Sequence, residues 1–491
     1  MRIAVTNAWV PGSDGDTVIY DSEGGIIAVT SSYESYTPAV VIDADGRLVT
    51  PGLSDTHMHL LATAIEETRL DLRVASSIKD ILSLVSREAD RLGPGKWIIG
   101  RGWDQEKLAE RRPPSREELD EAAPSNPVLL VRICGHAAVL NTEGLKASGL
   151  MEPPPGLADM VEFEDGRPTG LVYEDAVYAA WKAVPKPSLE EAALAIRRLT
   201  EEYLSFGVVL LYSMDASLLE MDAYSASGAR IGYKAYVQPR SLEEAVALYP
   251  GYVAGIKLYA DGSFGARTAA LREPYSDSPS TRGKLLLRRE EILRYAEEVV
   301  PQGLGVAVHA IGDMALEEVL AAAEKVGPHL RIEHASLVPP DLMEKVEMLR
   351  PWITVQPHFI LSDTWIVDRL GERARWVYPL RSLLASGALV TASSDSPVEP
   401  YNPWLGVYAA VDRGREEGLP IWKASGDERL EFGEAVKLYT APLPPKPPSL
   451  VIFNAREAPR TGGEYASIRA DTVIIGGEVL TPRREARRDE E

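Results

Sequence analysis

The chain has 491 residues, of which 45% are hydrophobic and 25% charged, a composition typical of globular proteins rather than disordered ones. Its 52 basic and 73 acidic residues give a formal net charge of −21, which opposes sequence-independent binding to nucleic acid or to an anionic membrane. The length predicts two or three domains, because an α/β barrel alone often reaches about 250 residues.

Cysteine content and the N-terminal residues predict a cytoplasmic protein. The single cysteine, Cys134, excludes an intramolecular disulfide and a cysteine-rich zinc module, and we expect it to serve packing. Glycine and proline occur too early in MRIAVTNAWVPGSDG for the apolar core of a signal peptide. No apolar run approaches the ~18 residues that span a bilayer, so we expect no membrane partner.

Both ends of the chain contain strand-like runs. The N-terminal runs are separated by Gly, Asp and Ser turns, which predicts a small antiparallel β unit. Similar runs return at 450–455 and 466–481, after a Pro-rich segment at 440–449 that favours an extended connector. We therefore expect residues 1–50 and 440–491 to form one composite β-sandwich.

The stretch PGLSDTHMHL at 51–60 places His57 and His59 one residue apart. Side chains two residues apart in a strand point to the same face, so two imidazoles with this spacing can hold one metal ion. The same spacing also arises by chance in proteins without a metal. The stretch therefore predicts a metal site only if later strands end in further ligands.

Short apolar runs alternate with helical patterns through the middle of the chain, as is typical of strand–helix units. There are eight such runs, at 48–60, 207–213, 231–238, 254–262, 303–313, 330–336, 351–358 and 388–396. Two SLEE segments, at 188–191 and 241–244, predict helix starts, because the Ser can cap a helix and a Glu three residues later can reach back. Eight strand–helix units predict an α/β fold with a parallel (β/α)8 TIM-like barrel.

The spacing of these runs predicts an insertion after the first strand. The last seven runs fit into residues 207–396, whereas His59 to Gly207 spans 148 residues, far more than one strand–helix unit needs. We expect an inserted α+β lobe over residues 96–185. The barrel would then occupy residues 51–95 and 186–439.

Residue types that bind metals fall at the ends of the predicted barrel strands. They are His57, His59, His309, His334 and Asp395, and they are joined by Lys257 in the fourth strand. The C-terminal ends of barrel strands meet at one mouth, so residues far apart in the sequence become neighbours. Four of the chain's seven histidines at these ends are improbable by accident, so the sequence predicts a metal site there.

Seven stretches within residues 46–400 carry these residues and their neighbours: PGLSDTHMHL, GHAAVLNTEGL, IKLYADGSFGARTAAL, VHAIGDMAL, RIEHASL, VQPH and SSDSPVEP. Together they resemble the amidohydrolase superfamily, in the metal-dependent hydrolase branch that includes N-substituted formamide deformylase, the amidohydrolase family 3 type. The resemblance also implies a composite terminal sandwich, a divalent metal cofactor, a small-molecule substrate and a homodimer.

The resemblance implies a role for each ligand. His57, His59 and Asp395 would hold the more buried metal, and His309 with His334 the more exposed one. Zinc suits such a site first, as one or two ions per chain. Mn, Fe, Co and Ni also bind these ligand types.

Lys257 needs a separate argument, because an ammonium group would repel a divalent cation. In relatives such a lysine reacts with CO₂ to form a carbamate, a carboxylated lysine whose two oxygens can bridge two metals. Two alternatives stay open: Lys257 paired with Asp261, and a single-metal site with an unmodified lysine.

The expected chemistry is hydrolysis of a C–N bond in an amide, formamide or cyclic amide. A metal lowers the pKa of its bound water from 15.7 to about 7, so that hydroxide is available to attack a polarised carbonyl. Asp395 would act as general base and then as general acid toward the leaving nitrogen. The same site also suits a deaminase or a lactone or ester hydrolase, and a non-catalytic scaffold relative is the alternative from another class.

Substrate contacts are expected from loops above the barrel mouth. The 44 residues between Ala260 and Leu304 are long for one strand–helix connection, so the Gly-rich loop there is expected to cover the pocket. The candidate substrate contacts are Trp103, Asp104, Arg132, His136, Ser263, Phe264, Arg267 and His358. His136 has an alternative role in hydrogen bonds within the core of the inserted lobe.

Overall fold

The computed structural model describes residues 1–440 and 447–482. Its strands are, in chain order, Arg2–Thr6 (β1), Thr17–Asp21 (β2), Gly25–Thr30 (β3), Val40–Asp43 (β4), Val49–Pro51 (β5), Leu53–Met58 (β6), Leu70–Asp71 (β7), Ile98–Trp103 (β8), Val128–Arg132 (β9), Ala137–Leu140 (β10), Val161–Glu164 (β11), Arg167–Tyr173 (β12), Val208–Met214 (β13), Gly232–Val237 (β14), Val253–Tyr259 (β15), Gly305–Ala310 (β16), Leu330–His334 (β17), Trp352–Val355 (β18), Leu389–Ala392 (β19), Ser449–Phe453 (β20), Ala470–Ile475 (β21) and Glu478–Leu480 (β22).

The α-helices lie between these strands. They are Leu60–Glu66 (α1), Ile78–Leu92 (α2), Arg116–Ala122 (α3), Thr142–Ala147 (α4), Asp175–Ala183 (α5), Leu189–Ser205 (α6), Leu218–Ser227 (α7), Leu242–Leu248 (α8), Arg289–Val299 (α9), Asp313–Val326 (α10), Pro340–Leu349 (α11), Phe359–Ser362 (α12), Ile366–Leu370 (α13), Leu380–Ala385 (α14), Pro403–Asp412 (α15), Pro420–Ser425 (α16), Phe432–Thr440 (α17) and Gly462–Ala466 (α18). None of the helices in the described ranges is both long and apolar enough to cross a membrane.

Eight strands form one parallel sheet in the order β6, β13, β14, β15, β16, β17, β18 and β19. Its two outer strands meet just beyond their C-terminal ends, where the Asp395 amide donates to the His57 carbonyl at 2.7 Å and the His59 amide donates to the Ser396 carbonyl at 2.9 Å. These bonds bring the sheet close to a closed barrel. The predicted (β/α)8 barrel and each of its eight strands are therefore confirmed.

Burial explains why the barrel strands appear in the sequence as apolar runs. All seven residues of β13 are buried, as expected for a parallel strand that is covered on both faces. The first SLEE segment does start a helix, α6: Ser188 Oγ accepts from the Glu191 amide at 3.2 Å, and Glu191 accepts from the Ser188 amide at 2.9 Å.

The predicted cap at the second SLEE segment is wrong. A 3-10 turn, Pro239–Ser241, precedes α8 and leaves Ser241 in a helical backbone conformation without a side-chain capping bond. A capping serine normally has extended backbone angles that aim its oxygen at the first helical amides. The preceding turn removes that geometry.

The chain ends form the predicted composite β-sandwich. One sheet has the order β3, β2, β1, β4, and the other has the order β22, β21, β20, β5. Their shared core contains side chains from both ends of the chain, among them Ile3, Tyr20, Leu450 and Ile474. The predicted connector at 440–449 lies mostly outside the described residues.

The α+β insertion follows the first barrel strand. It forms a compact unit of its own, Ile65–Glu191, while Met1–Ala64 and Ala192–Glu491 form the other. Its six-stranded sheet has the order β11, β12, β10, β9, β8, β7. Two separate apolar clusters form its core, one containing Ile81 and Leu130 and the other Leu145 and Val172. This unit extends beyond the predicted limits, 96–185, because α2 and β7 also belong to it.

Candidate metal centre

The barrel places the six predicted metal-site residues at the C-terminal ends of its strands. His57 lies in β6, Lys257 in β15, His309 in β16, and His334 is the last residue of β17. The remaining two lie in the segments that follow β6 and β19, namely His59 and Asp395. The mouth of the barrel therefore contains all six.

His57, His59 and Asp395 form a compact group. Each offers one ligand atom, and these atoms lie within 4.8 Å of one another. Asp395 Oδ1 is 3.3 Å from His57 Nε2 and 3.4 Å from His59 Nε2. Two imidazole nitrogens and a carboxylate oxygen are a donor set that suits a divalent transition metal.

The other two histidines lie beside this group. The ring centroids of His309 and His334 are 4.4 Å apart, and those of His57 and His334 are 4.9 Å apart. Lys257 Nζ is 3.3 Å from His57 Nε2. The lysine amine therefore faces the same space as the side chains of the five predicted ligands.

Hydrogen bonds to carbonyl oxygens fix the tautomers of three of the histidines, because a carbonyl can only accept. His59 Nδ1 donates to the Met214 carbonyl at 3.0 Å, and His334 Nδ1 donates to Gln356 Oε1 at 2.7 Å. The free lone pair is then on Nε2 in both rings. His309 differs, since its Nε2 donates to a backbone carbonyl, that of Gly262, at 2.9 Å. Its lone pair is on Nδ1.

Burial keeps the inner histidines neutral and therefore able to bind a metal. Desolvation lowers the pKa of His309 to about 3, and the charge of nearby Lys257 adds to this effect. Burial likewise lowers the pKa of His334 well below its usual value. Both rings carry free lone pairs at neutral pH.

The pKa values of Lys257 and Asp395 are both lowered, but for different physical reasons. Burial lowers the pKa of the Lys257 amine, which increases the neutral fraction that can react with CO₂. Burial alone would raise the pKa of Asp395, but His57 and His59 more than offset it and hold the pKa well below its usual value. Asp395 is therefore an ionised carboxylate at neutral pH.

Two of the predicted ligands have an unusual backbone conformation. His334 has φ +73° and Asp395 has φ +58°, which is the left-handed region that non-glycine residues rarely adopt. Such conformations persist where the surrounding structure enforces them, commonly at functional sites.

Asp261 has a different role from the predicted alternative as the partner of Lys257. Its oxygens accept from the backbone amides of Ile311, Gly312 and Ala270, at 3.0, 2.8 and 2.9 Å. Oδ1 also lies 3.4 Å from His309 Nε2. Asp261 therefore joins the loop after β15 to the end of β16.

The candidate substrate contacts in the barrel unit differ in exposure. Phe264 is buried, and its carbonyl accepts from Arg369 at 2.8 Å. Ser263 is exposed, whereas Arg267 is partly buried and paired with Asp277 at 2.7 Å. His358 follows β18 and binds Glu399 through Nδ1, which leaves Nε2 for another partner.

The remaining candidates belong to the inserted unit. Trp103 is 2% exposed, and its indole nitrogen donates to the Leu130 carbonyl at 2.9 Å. Asp104 is paired with Arg132 at 3.1 Å. The alternative role of His136, in hydrogen bonds within the core of the inserted lobe, is wrong, because its side chain is 72% exposed and paired with Glu174 at 3.0 Å.

The packing role predicted for Cys134 is wrong, because the residue is exposed. It lies in the turn between β9 and β10, where a side chain projects from the sheet rather than into its core. Partial desolvation raises the pKa of its thiol, but the neighbouring Arg132 guanidinium outweighs this effect and lowers it.

Several charged residues around the metal centre were not predicted from the sequence. Glu333 and Arg331 are buried inside β17, and Asp55 is buried in β6, where desolvation raises its pKa to about 6. One signal was available: the alternating charges of RIEH break an otherwise apolar strand, as charges do when they share the barrel interior. The sequence around Glu399 contains no comparable pattern of charges.

Comparison with known proteins places this geometry in a family. A model of the family described as Amidohydrolase family matches residues 40–442. The chain belongs to this amidohydrolase family. It is 34% identical over 449 residues to Putative amidohydrolase YtcJ of Bacillus subtilis (strain 168), which covers 85% of this chain and 84% of that protein.

Two further relatives agree with this family. N-substituted formamide deformylase of Arthrobacter pascens is 24% identical over 490 residues, covering 91% of this chain and 87% of its own length. The crystal structure of an uncharacterized metal-dependent hydrolase from Pyrococcus horikoshii OT3 matches with a TM-score of 0.72 and 34% identity, covering 89% of this chain and 92% of that chain. The predicted class, a metal-dependent hydrolase acting on carbon–nitrogen bonds, is confirmed.

Proposed function

We propose that the chain hydrolyses a C–N bond of a small amide, formamide or cyclic amide, with Asp395 as the proton carrier. The observation that carries the proposal is the convergence of His57, His59 and Asp395, whose ligand atoms lie within 4.8 Å of one another at the barrel mouth. Side chains from opposite edges of the barrel sheet meet there. Such convergence is typical of catalytic barrels.

The donor set fits a divalent cation, with zinc as the first choice. Neutral imidazoles and an ionised carboxylate are the protonation states that metal binding requires. We propose His57, His59 and Asp395 as one set of ligands and His309 with His334 as a second. When bound, the cation supplies Lewis acidity, lowering the pKa of a water and polarising a carbonyl.

Lys257 is proposed to carry a carbamate that completes the second set. Its buried amine has a lowered pKa, and carbamate formation requires the neutral amine. The proposal is supported by the imidazole nitrogen of His57, a proposed ligand, which lies 3.3 Å from the Lys257 amine. Intact mass under native conditions, with and without bicarbonate, tests this step through a gain of 44 Da, the mass of one CO₂; absence of that gain, with one metal bound, contradicts it.

Asp395 can take a proton from an attacking water and return it to the leaving nitrogen. Its pKa stays low through His57 and His59, and its backbone amide is anchored on the His57 carbonyl at 2.7 Å. The carboxylate is thus ionised and held in place. General acid–base catalysis of this kind contributes about 10²–10⁴-fold.

The remaining loops are proposed to bind the substrate. His358 Nε2 is available because Glu399 occupies Nδ1, while Ser263 is exposed and Arg267 partly exposed on the loop after β15. Asp104, Arg132 and His136 are retained as proposed contacts from the inserted unit. Trp103 is better suited to holding that unit's core together.

A substrate panel tests the proposed function. Purified protein is stripped of metal, reloaded with Zn²⁺, Mn²⁺ or Co²⁺, and assayed on formamides, N-acyl amines and cyclic amides beside lactones and aminated heterocycles. Metal-dependent release of an amine and a carboxylate supports the proposal. Turnover confined to lactones or to aminated heterocycles contradicts the proposal and favours an ester hydrolase or a deaminase. Turnover that is the same with and without metal would exclude the proposed metal-dependent chemistry.

A further inference from the structure

The four histidines of the metal centre differ in the group that holds their outer ring nitrogen. His57 Nδ1 is hydrogen-bonded to a carboxylate, Glu333 Oε2, at 2.5 Å. The other three are hydrogen-bonded to neutral oxygens, those of the Met214 carbonyl, the Gly262 carbonyl and the Gln356 amide. Asp261 lies near His309, but its oxygens are engaged by backbone amides.

Glu333 is held as a fixed, charged group. Its side chain is 0% exposed, and Arg331 donates to it twice, from Nε to Oε1 at 2.5 Å and from Nη2 to Oε2 at 3.0 Å. Arg331 keeps the pKa of this carboxyl well below its usual value, even though burial alone would raise it. The guanidinium is confined in turn by aromatic rings, and its distances to the ring centroids are 4.4 Å for Trp352, 5.0 Å for Tyr236 and 5.4 Å for Tyr212.

The position of this pair indicates more than a contribution to stability. A buried ion pair gives little net stability compared with well-packed apolar residues. Here one carboxylate oxygen of Glu333 is hydrogen-bonded to the ring of His57, a proposed metal ligand. A carboxylate in that position fixes the tautomer of a ligating histidine and increases the basicity of the nitrogen that faces the metal.

We propose that Glu333 is a positioning residue that makes the His57–His59–Asp395 group the tighter metal-binding position. It holds a proton on His57 Nδ1 and turns Nε2 toward Asp395 Oδ1, 3.3 Å away. His309 and His334, in the other position, have neutral partners, so the basicity of their metal-facing nitrogens increases less. Metal binding is then stepwise, with one tight and one weaker position. The inference rests on the proposed metal-dependent function and concerns affinity rather than substrate.

Zinc binding to the stripped full-length protein tests the inference directly. Competition with a chromogenic chelator gives the dissociation constant of each bound Zn²⁺ without an activity assay. Wild-type protein should show one tight zinc, and Glu333→Gln should weaken it about 10–100-fold. Glu88→Gln is the matched control, because Glu88 is also a buried glutamate that accepts from an arginine, Arg91 Nε at 2.7 Å, but it lies in the inserted unit.

A second variant separates charge from position. Glu333→Asp keeps the negative charge beside Arg331 but withdraws the oxygen from His57 Nδ1, so its tight zinc should also weaken. Wild-type affinity in Glu333→Asp, or an equal loss in Glu88→Gln, would overturn the positioning role. The positioning role would also be overturned if Glu333→Gln lowers the melting temperature of the metal-free protein and leaves the zinc affinity unchanged. Wild-type protein that binds no zinc would overturn the proposed function as well, whereas unchanged tight binding in Glu333→Gln overturns this inference alone.

Discussion

At the scale of single residues, Asp395 combines an ionised side chain with a fixed backbone. Replacing it with Asn keeps its size and the backbone bond to His57, so we expect the fold to persist while turnover drops by about 10²–10⁴-fold. The measurement is kcat on the best panel substrate, together with metal content. Asp412→Asn is the control, because Asp412 is 7% exposed and Asp395 is 8% exposed. Turnover near that of the control would contradict the assignment.

Asp363 permits a prediction about pH. Burial raises its pKa from 3.8 to about 6, and the charge of Glu399 adds to this effect, although Tyr378 donates to it. Between pH 3.8 and about pH 6, Asp363 keeps a proton in the folded chain that it has released in the unfolded chain. The contribution of Asp363 to the free energy of unfolding therefore falls as pH rises from 3.8 to 6 and stays lower above.

The substitution Asp363→Asn removes this penalty and keeps an acceptor for Tyr378. We expect the variant to be more stable than the wild type at pH 8, by on the order of 1–3 kcal/mol, and equally stable at pH 4. Denaturant unfolding at the two pH values measures the difference. A gain of the same size at both would show that the charge of Asp363 is not its cause.

At the scale of elements, two glycines let β15 and β16 approach closely beside the metal centre. Gly255 pairs with Gly305, and a Cβ on Gly255 would lie 1.9 Å from the Gly305 carbonyl oxygen. Backbone atoms in a sheet cannot move aside cheaply. Gly255 is two residues before Lys257, so its substitution would also displace the strand that carries the lysine.

We therefore expect Gly255→Ala to destabilise the chain by at least about 1–3 kcal/mol and to weaken zinc binding. Gly251→Ala is the matched control, because it lies just before the same strand with no atom within 4 Å of an added Cβ. Thermal unfolding with and without zinc reports both effects. Equal behaviour of the two variants would refute the role of close strand approach.

The same element scale shows what the sequence could reveal. Barrel strands are buried on both faces, so β13 and its neighbours appear as apolar runs, and ligands at their ends follow from the topology. The cap at Ser188 was predictable because it depends on local backbone angles. The same prediction failed at Ser241 because a preceding 3-10 turn changes those angles. The partnership of Glu333 with His57 joins residues 276 positions apart, and its register depends on barrel closure, so no local pattern predicts it.

At the scale of the whole molecule, the candidate metal centre brings together residues from distant parts of the chain. Its proposed ligands come from β6, β15, β16, β17 and the segment after β19, which together span both edges of the barrel sheet. A cation bound by them favours the folded state by mass action, because the unfolded chain cannot bring these groups together.

Removing the metal with a chelator should therefore lower the melting temperature, and adding Zn²⁺ back should restore it. At a free zinc concentration 100 times the dissociation constant, the stabilisation is about 2.7 kcal/mol. A double variant, His59→Ala with Asp395→Ala, removes two ligands and should lose most of the zinc-dependent shift. An undiminished shift in this variant would place the stabilising zinc elsewhere in the chain. A wild-type melting temperature that neither chelator nor zinc changes would contradict metal binding at the barrel mouth, because each proposed position joins ligands from separate strand ends and a bound cation would stabilise the fold that assembles them.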